Sequence, residues 1–428
     1  MPQSLRTAIT HATVITMDDE RRVLTDATIL LEGDRIIEVG ASSPAAPANA
    51  AIIDVGGGIV LPGLINTHCH AAMTLYRGQA DDRSLQDFLA KLLPLEGATA
   101  TEAHLAAGAR LAVAEMLRSG TTTALDMYWH PEVSSAVAAE GGLRLVTGPI
   151  FIGGVGPDHL DFKARLAAAE AAVPAGWTMA HGTYTMSVAE LEAVGHLAAA
   201  GPTRFHIHAA ENQAEVDQVV ATTGRRPVEL LDELGLLGPT TVLAHAVALT
   251  DDEVARLGAT RTAVAHCPMS NMKLASGVCR VADLQAAGAT VALGTDGASS
   301  SNDLDLFGAM RAAALLAKVS SLDPTALSAQ RVLEMATIEG AAALGLDPDL
   351  GSIAVGKLAD LVLLDPASPS LNPVVDPISA VVYAASRADV TDVWVGGDHV
   401  VAKRQLQHID LSAAISAVDQ IVAGFPSA

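Results

Sequence analysis

Cysteine is scarce in this chain of 428 residues. Cys69, Cys267 and Cys279 are too few and too scattered for a disulfide framework, which fits a reducing compartment. Long apolar runs are also missing. Half of the residues are apolar and the mean hydropathy is +0.34, yet Gly and Pro break the pattern every few positions. No uninterrupted run reaches the ~18 residues that a membrane helix needs, and the N-terminus has no basic, apolar, small-residue signal. A soluble, cytoplasmic protein without a membrane partner is expected. Cations are few: 26 Lys and Arg stand against 48 Asp and Glu, a formal charge of −22. Such a charge repels phosphate backbones, which argues against a nucleic-acid partner. Low-complexity segments and short repeats are absent, and the length suits one large domain with a smaller one.

What is present centres on Leu61-Pro-Gly-Leu-Ile-Asn-Thr-His-Cys-His70, an uncharged, largely apolar run ending in His-x-His. Side chains at i and i+2 of a strand share a face, so His68 and His70 would project together, as two ligands of one metal ion must. Before it, residues 8 to 60 alternate short β-rich runs with turns: Ala12–Met17, Ala27–Leu31, Arg35–Val39 and Ala51–Val55, read as antiparallel sheet. A matching pattern returns in Leu358–Asp365, Val381–Tyr383 and Val390–Val395. Residues 1–59 and 351–428 are therefore expected to form one small β-sandwich domain from both termini.

Residues 60–350 have another rhythm, in which short apolar runs are each followed by a helix-like stretch. After the run at 59–70 come Gly120–Asp126, Leu143 to Ile152, Trp177–His181, Arg204–His208, Thr241–His245, Thr262–His266 and Thr290–Asp296. Thr99 and Glu102 have capping-box spacing ahead of a helix over 101–119, with Gly120 placed to stop it. Eight β-then-α units predict an α/β fold, a (β/α)8 TIM-like barrel, whose chemistry gathers at the C-terminal ends of the strands. His68, His70, His181, His208, His245, His266 and Asp296 all end these runs. A lone strand-end histidine is usually a hydrogen-bonded core residue, but seven ligand-type residues at strand ends point to a metal centre. Neutral imidazoles and a carboxylate, with a position left for water, suit zinc.

These residues carry a resemblance. Leu61-Pro-Gly to His70, His208-Ala-Ala-Glu211, His245, His266-Cys-Pro-Met-Ser-Asn-Met-Lys-Leu274, Gly294-Thr-Asp-Gly297 and the run Gly351 to Asp360 resemble the amidohydrolase superfamily over nearly the whole chain. Within it they are most similar to the aminohydrolases that include methylthioadenosine/S-adenosylhomocysteine deaminases, s-triazine hydrolases and guanine deaminases. The resemblance implies a metal-bearing barrel with a sandwich from both termini. It also implies one divalent ion, zinc expected and iron the alternative, held by His68, His70, His208 and Asp296. His206 shares a face with His208; the spacing to Glu211 favours His208, with His206 a barrel residue one layer down. No Lys stands on the fourth strand, so a mononuclear site is implied.

By the same resemblance Glu211, His245 and Asp296 are catalytic, Glu211 as proton shuttle and the other two as partners of the attacking water. Glu96, His181, Glu211 and Asp296 are implied as substrate contacts, Glu96 through a ribose diol. On local grounds alone Glu211 also suits a helix N-terminus, and Glu96 a solvated loop. The implied reaction is hydrolytic removal of an amino group from an aromatic N-heterocycle. The leading candidate is the adenine C6 amine of methylthioadenosine, S-adenosylhomocysteine or 5′-deoxyadenosine. Guanine, 8-oxoguanine or pterin deamination and s-triazine hydrolysis are the alternatives, and a non-catalytic scaffold the remote one, since all four metal positions are filled. Three departures stand out: Gly148-Pro149 where an arginine is expected, Phe88 in place of tryptophan, and Ala246 in place of cysteine. The partners implied are a small-molecule substrate and further copies of the chain in a homo-oligomer.

Overall fold

The computed structural model describes residues 6–41, 50–172, 176–201 and 203–426. The chain begins in a nine-stranded sheet that takes strands from both ends of the sequence. Its first strand, Arg6–Ile15, runs antiparallel to Val23–Glu32 but parallel to Ala50–Asp54 and to Ile59–Pro62. The sheet is therefore mixed, where the N-terminal run alone read as antiparallel. Ile59–Pro62 also pairs antiparallel with Leu361–Leu364, and that pair joins the two termini. Ile9, Ile29, Ile36, Val60, Leu361 and Trp394 fill one apolar core, so the sheet curls over side chains from both ends.

The expected run at 59–70 divides at Gly63. Ile59–Pro62 stays in the terminal sheet, and Leu64–His70 becomes the first barrel strand. A Cβ at Gly63 would lie 2.1 Å from Thr122 Oγ1, so only glycine lets the crossing chain pass the second barrel strand. At the same junction Asp360 accepts from Gly63 N–H through its carbonyl, and its carboxylate accepts from Gly396 N–H and the Arg144 guanidinium. One residue of the C-terminal Gly351–Asp360 run thereby ties the sheet to the barrel.

The barrel strands are Leu64–His70, Thr121–Asp126, Arg144–Thr147 with Ile150–Phe151, Gly176–Gly182, Thr203–Ala209, Thr241–His245, Ala263–His266, and Val291–Leu293 with Asp296–Gly297. All pair in parallel, and each apolar run read from the sequence lies on one of them. The third and eighth strands are broken, and the breaks close the ring. Arg144–Thr147 pairs with the second strand and Ile150–Phe151 with the fourth. Val291–Leu293 pairs with the seventh strand, Asp296 and Gly297 with Cys69 and His70 of the first. A split strand can serve two neighbours whose directions have diverged through sheet twist. Strand interiors are mostly buried, as a filled barrel requires, the exception being Arg144–Thr147, which is half-buried along its length.

Two local expectations are corrected. Val381–Tyr383 is helical: Asp376 caps the turn by accepting from Ile378 and Ser379 N–H, Pro377 opens it, and a π-helical turn follows over Ala380–Ala384. Capping outweighs the strand preference of two adjacent valines. The helix Glu102–Arg118 is capped by Thr101, whose side chain accepts from His104 N–H. Thr99 is unavailable because it ends the preceding helix, Leu85–Thr99, and donates to the Leu95 carbonyl. No described helix is long and apolar enough to cross a membrane.

Gly148 sits in the break of the third strand, and a Cβ there would lie 2.0 Å from the Trp177 carbonyl oxygen. Gly148→Ala must push the third and fourth strands apart, an overpacking cost of about 1–3 kcal/mol. The expected result is a thermal midpoint lowered by several degrees relative to the parent; an unchanged midpoint would show that the break yields without cost.

Candidate active site

Six of the seven strand-end residues converge at one end of the barrel. Ligand atoms of His68, His70, His208 and Asp296, all buried, lie within 4.8 Å of one another. Asp296 Oδ1 is 3.4 Å from His68 Nε2 and 3.2 Å from His70 Nε2, and His208 Nε2 is 3.2 Å from His68 Nε2. A tetrahedral ion with bonds of about 2.0–2.1 Å spaces its ligands roughly 3.3 Å apart, so these separations fit. The donor set fits as well. His70 Nδ1 donates to the Met127 carbonyl and His208 Nδ1 to the His181 carbonyl, which leaves each Nε2 turned toward the cluster. His206 stands one layer deeper, off the cluster, with Nε2 2.8 Å from His68 Nδ1.

The electrostatics are those of a cation site. Burial lowers His68 to about 3, and it holds His208 well below the ordinary imidazole value. Burial alone would raise Asp296; His68 and His70 outweigh it and keep this carboxyl ionised, well below the usual range. Its other oxygen, Oδ2, accepts from Ser270 and Ser300 hydroxyls, each at 2.7 Å. Burial works to lower His70, but its bond to Asp296 prevails and raises it.

Beside this cluster lies a cavity lined by His70, His208 and Asp296 among others. Glu211 and His245 line it on one side, with His245 Nε2 3.8 Å from Glu211 Oε1 and 4.0 Å from Asp296 Oδ2. His245 Nδ1 donates to Asn271 Oδ1 at 2.9 Å, which fixes the ring with Nε2 toward Glu211 and Asp296. Burial raises the Glu211 carboxyl, with His245 opposing. The Glu211 backbone is held in turn: its N–H donates to Glu215, whose second oxygen accepts from Thr183 Oγ1 at 2.8 Å.

Glu96 also lines the cavity, buried on the helix Leu85–Thr99, with Tyr128 Oη donating to it and the Tyr128 ring centre 6.1 Å from that of His70. Burial raises this carboxyl to about 7, against the pull of Tyr128. His181 also lines the cavity; its Nδ1 is 3.1 Å from Thr185 Oγ1, and burial lowers it to about 4. Leu85, Phe88, Leu89, Leu93, Trp129 and Ile150 form apolar walls. His266 stands apart, buried and off the cavity, although it ends the seventh strand. Sequence reasoning missed Ser270, Asn271, Ser300 and Trp129, and it had Tyr128 only as part of the run Asp126-Met-Tyr128, without its bond to Glu96. Ser270 and Asn271 lie inside the quoted His266–Leu274 run, the one signal that pointed toward them.

The cation-free lining has a structural cause. Among the described residues no Lys or Arg lines the cavity. Arg165, which follows the third strand, is buried with Nε 2.8 Å and Nη2 2.7 Å from the Asp158 carboxylate, and it also donates to the Ile152 and Leu160 carbonyls. Its guanidinium lies 5.5 Å from the Trp129 ring centre. Arg165 thus supports a wall of the cavity and does not enter it.

Comparison with known proteins agrees with this geometry. The profile of the Amidohydrolase family matches residues 59–400. A 5-methylthioadenosine/S-adenosylhomocysteine deaminase of Syntrophobacter fumaroxidans is 42% identical over 426 residues, 96% of this chain and 97% of its own. A 5′-deoxyadenosine deaminase of Methanothermobacter thermautotrophicus is 42% identical over 396 residues, 90% of this chain and 91% of its own. The crystal structure of an adenosine deaminase from Xanthomonas campestris with bound zinc superposes with a TM-score of 0.93 at 36% identity, covering 98% of each chain. With a buried three-histidine, one-aspartate cluster at the mouth of its barrel, and that match across most of its length, the chain belongs to the amidohydrolase family.

Proposed function

We propose that this enzyme is a metal-dependent deaminase of 5′-modified adenosines, replacing the C6 amine with oxygen and releasing ammonia. The observation that carries the reading is one cavity lined both by Glu211, His245 and three of the four cluster residues and by the Glu96–Tyr128 pair. A carboxylate beside a phenol suits a ribose diol, and the base of such a nucleoside would then meet Glu211 and His245. The relatives named for methylthioadenosine, S-adenosylhomocysteine and 5′-deoxyadenosine support the same substrate class. Three buried free cysteines suit a cytoplasmic setting.

His68, His70, His208 and Asp296 would hold one divalent ion, and zinc suits three imidazoles with a carboxylate. Such an ion supplies a nucleophile near neutral pH by lowering the pKa of water from ~15.7 to about 7. The remaining steps belong to the side chains. Glu211 carries a proton to the ring nitrogen beside C6, which makes that carbon electrophilic. His245, its Nε2 turned toward Asp296, orients the water and with Asp296 takes its proton as oxygen bonds to C6. Glu211 then relays a proton to the amine, the C–N bond breaks, and ammonia leaves with the inosine analogue as product.

Three outcomes are expected. Elemental analysis of active protein should give one zinc or iron per chain, and His208→Ala should lose it; two ions, or full metal content in that variant, would contradict the ligand set. Glu211→Gln should keep its metal while kcat falls roughly 10²- to 10⁴-fold, the range for a general acid–base group. Near-normal turnover in that variant would remove Glu211 from the mechanism. Across a panel of purines, pterins, triazines and nucleosides, kcat/KM should be highest for adenosines with an uncharged 5′ substituent, because the walls offer no cation to a homocysteine carboxylate. Glu96→Ala should raise KM for nucleosides specifically. Preference for free guanine or a triazine, or indifference to Glu96→Ala, would move the enzyme to another substrate class.

A further inference from the structure

His206 lies two residues before His208 on the fifth barrel strand, fully buried and outside the cavity lining. Its Nδ1 is 2.8 Å from the Val242 carbonyl, and its Nε2 is 2.8 Å from His68 Nδ1. A carbonyl oxygen only accepts, so the hydrogen at the first contact sits on His206 Nδ1. Among the described residues no carboxylate bonds His206, and a fully buried imidazolium without one would be costly, so its ring is neutral. In a neutral ring that donates through Nδ1, Nε2 is an acceptor. The hydrogen of the second contact therefore belongs to His68 Nδ1, and His68 Nε2 is left with its lone pair toward Asp296 and His208.

His70 and His208 reach the same tautomer through main-chain carbonyls, those of Met127 and His181. A main-chain carbonyl is indifferent to the identity of the residue that carries it. His68 alone among the three depends on another side chain, and that side chain depends on the sixth strand for its own orientation. An apolar residue at position 206 would fill the barrel layer equally well, but it would leave a buried Nδ1–H without an acceptor, or turn His68 to the tautomer whose Nε2 carries the hydrogen.

We propose that His206 is a positioning residue of the metal centre: by accepting from His68 Nδ1–H it holds His68 in the tautomer that offers Nε2 to a divalent cation. The inference rests on the metal role assigned to His68, and the two can be separated. The test is the zinc dissociation constant of the metal-stripped full chain, measured by competition with a chromophoric chelator, for the parent, His206→Met and His206→Gln. Methionine fills space without accepting from an imidazole N–H at full strength, whereas the Gln Oε1 reaches the place of His206 Nε2 and accepts. The expected result is zinc bound about 10- to 100-fold more weakly in His206→Met, the usual cost of losing such a partner, and binding in His206→Gln within about threefold of the parent. Cobalt-substituted His206→Met should also show an altered visible spectrum, a change that loss of packing alone would not produce. Equal zinc affinity in parent and His206→Met overturns the proposal, as does His206→Gln binding as weakly as His206→Met. Where His206→Met does not fold, nitrogen-15 NMR of histidine-labelled parent decides: a neutral His206 with Nδ1–H supports the assignment, and an Nε2–H tautomer overturns it. A parent that binds no zinc refutes the metal reading itself, and with it this inference.

Discussion

An ionised carboxylate sealed inside a protein is tolerated only when its lone pairs are occupied, and Asp296 is such a carboxylate. Oδ1 faces His68 and His70 and accepts from Gly297 N–H at 2.8 Å, while Oδ2 takes the hydroxyls of Ser270 and Ser300. Those groups come from the first strand, from the short helix Pro268–Lys273 after the seventh strand, and from the turn after Gly297. The charge can be buried only if these segments meet. They meet because the eighth strand is broken and its second half crosses to the first strand. The break that closes the barrel is therefore the same feature that assembles the site.

The backbone pays for this locally. Asp296 has φ +64°, His245 +73°, Ala246 +45° and Ala210, just before Glu211, +53°. Left-handed conformations at non-glycine residues cost roughly 1–3 kcal/mol each and persist only where the surroundings over-determine them. All four lie at ends of barrel strands, where a chain continuing in β conformation would carry the next side chain away from the axis. The turn at Ala210 instead leaves Glu211 lining the cavity, and the turn at His245 leaves Nε2 near Asp296.

Much of the barrel was legible in the sequence, because a parallel strand covered on both faces reads as a short apolar run and its end as a change to polar residues. The residues at those ends were legible for the same reason: the strand count brought His68, His70, His181, His208, His245 and Asp296 together, but it brought His266 with them, which the structure leaves off the cavity. What was illegible depends on contacts made after closure. Nothing local to His206 names His68 as its partner, nor does anything local to Tyr128 name Glu96. The helical turn at Val381–Tyr383 was hidden because side-chain capping by Asp376 competes with a β-branched pair whose preference points the other way. Gly63 was read as part of one run because its role, passing Thr122 without a clash, belongs to a neighbour nearly sixty positions on, an interval visible only once both residues are numbered.

Chemistry and recognition are carried by different parts of the chain. The ligand cluster, Glu211 and His245 sit on or just past strand ends, where parallel pairing on both sides fixes them. Another wall comes largely from the helix Leu85–Thr99, whose residues Leu85, Phe88, Leu89, Leu93 and Glu96 line the cavity at spacings that recur on one helical face. Changing that face alters what the cavity holds without disturbing the barrel pairing that positions the catalytic groups. Trp129 extends the wall from after the second strand and is braced by Arg165, whose charge is already neutralised by Asp158. A guanidinium so occupied stiffens the wall but contributes no net charge to the cavity. The recognition surface is therefore largely apolar, with His181 and the Glu96–Tyr128 pair as polar features, and the Glu96 carboxyl is raised to about 7 by burial.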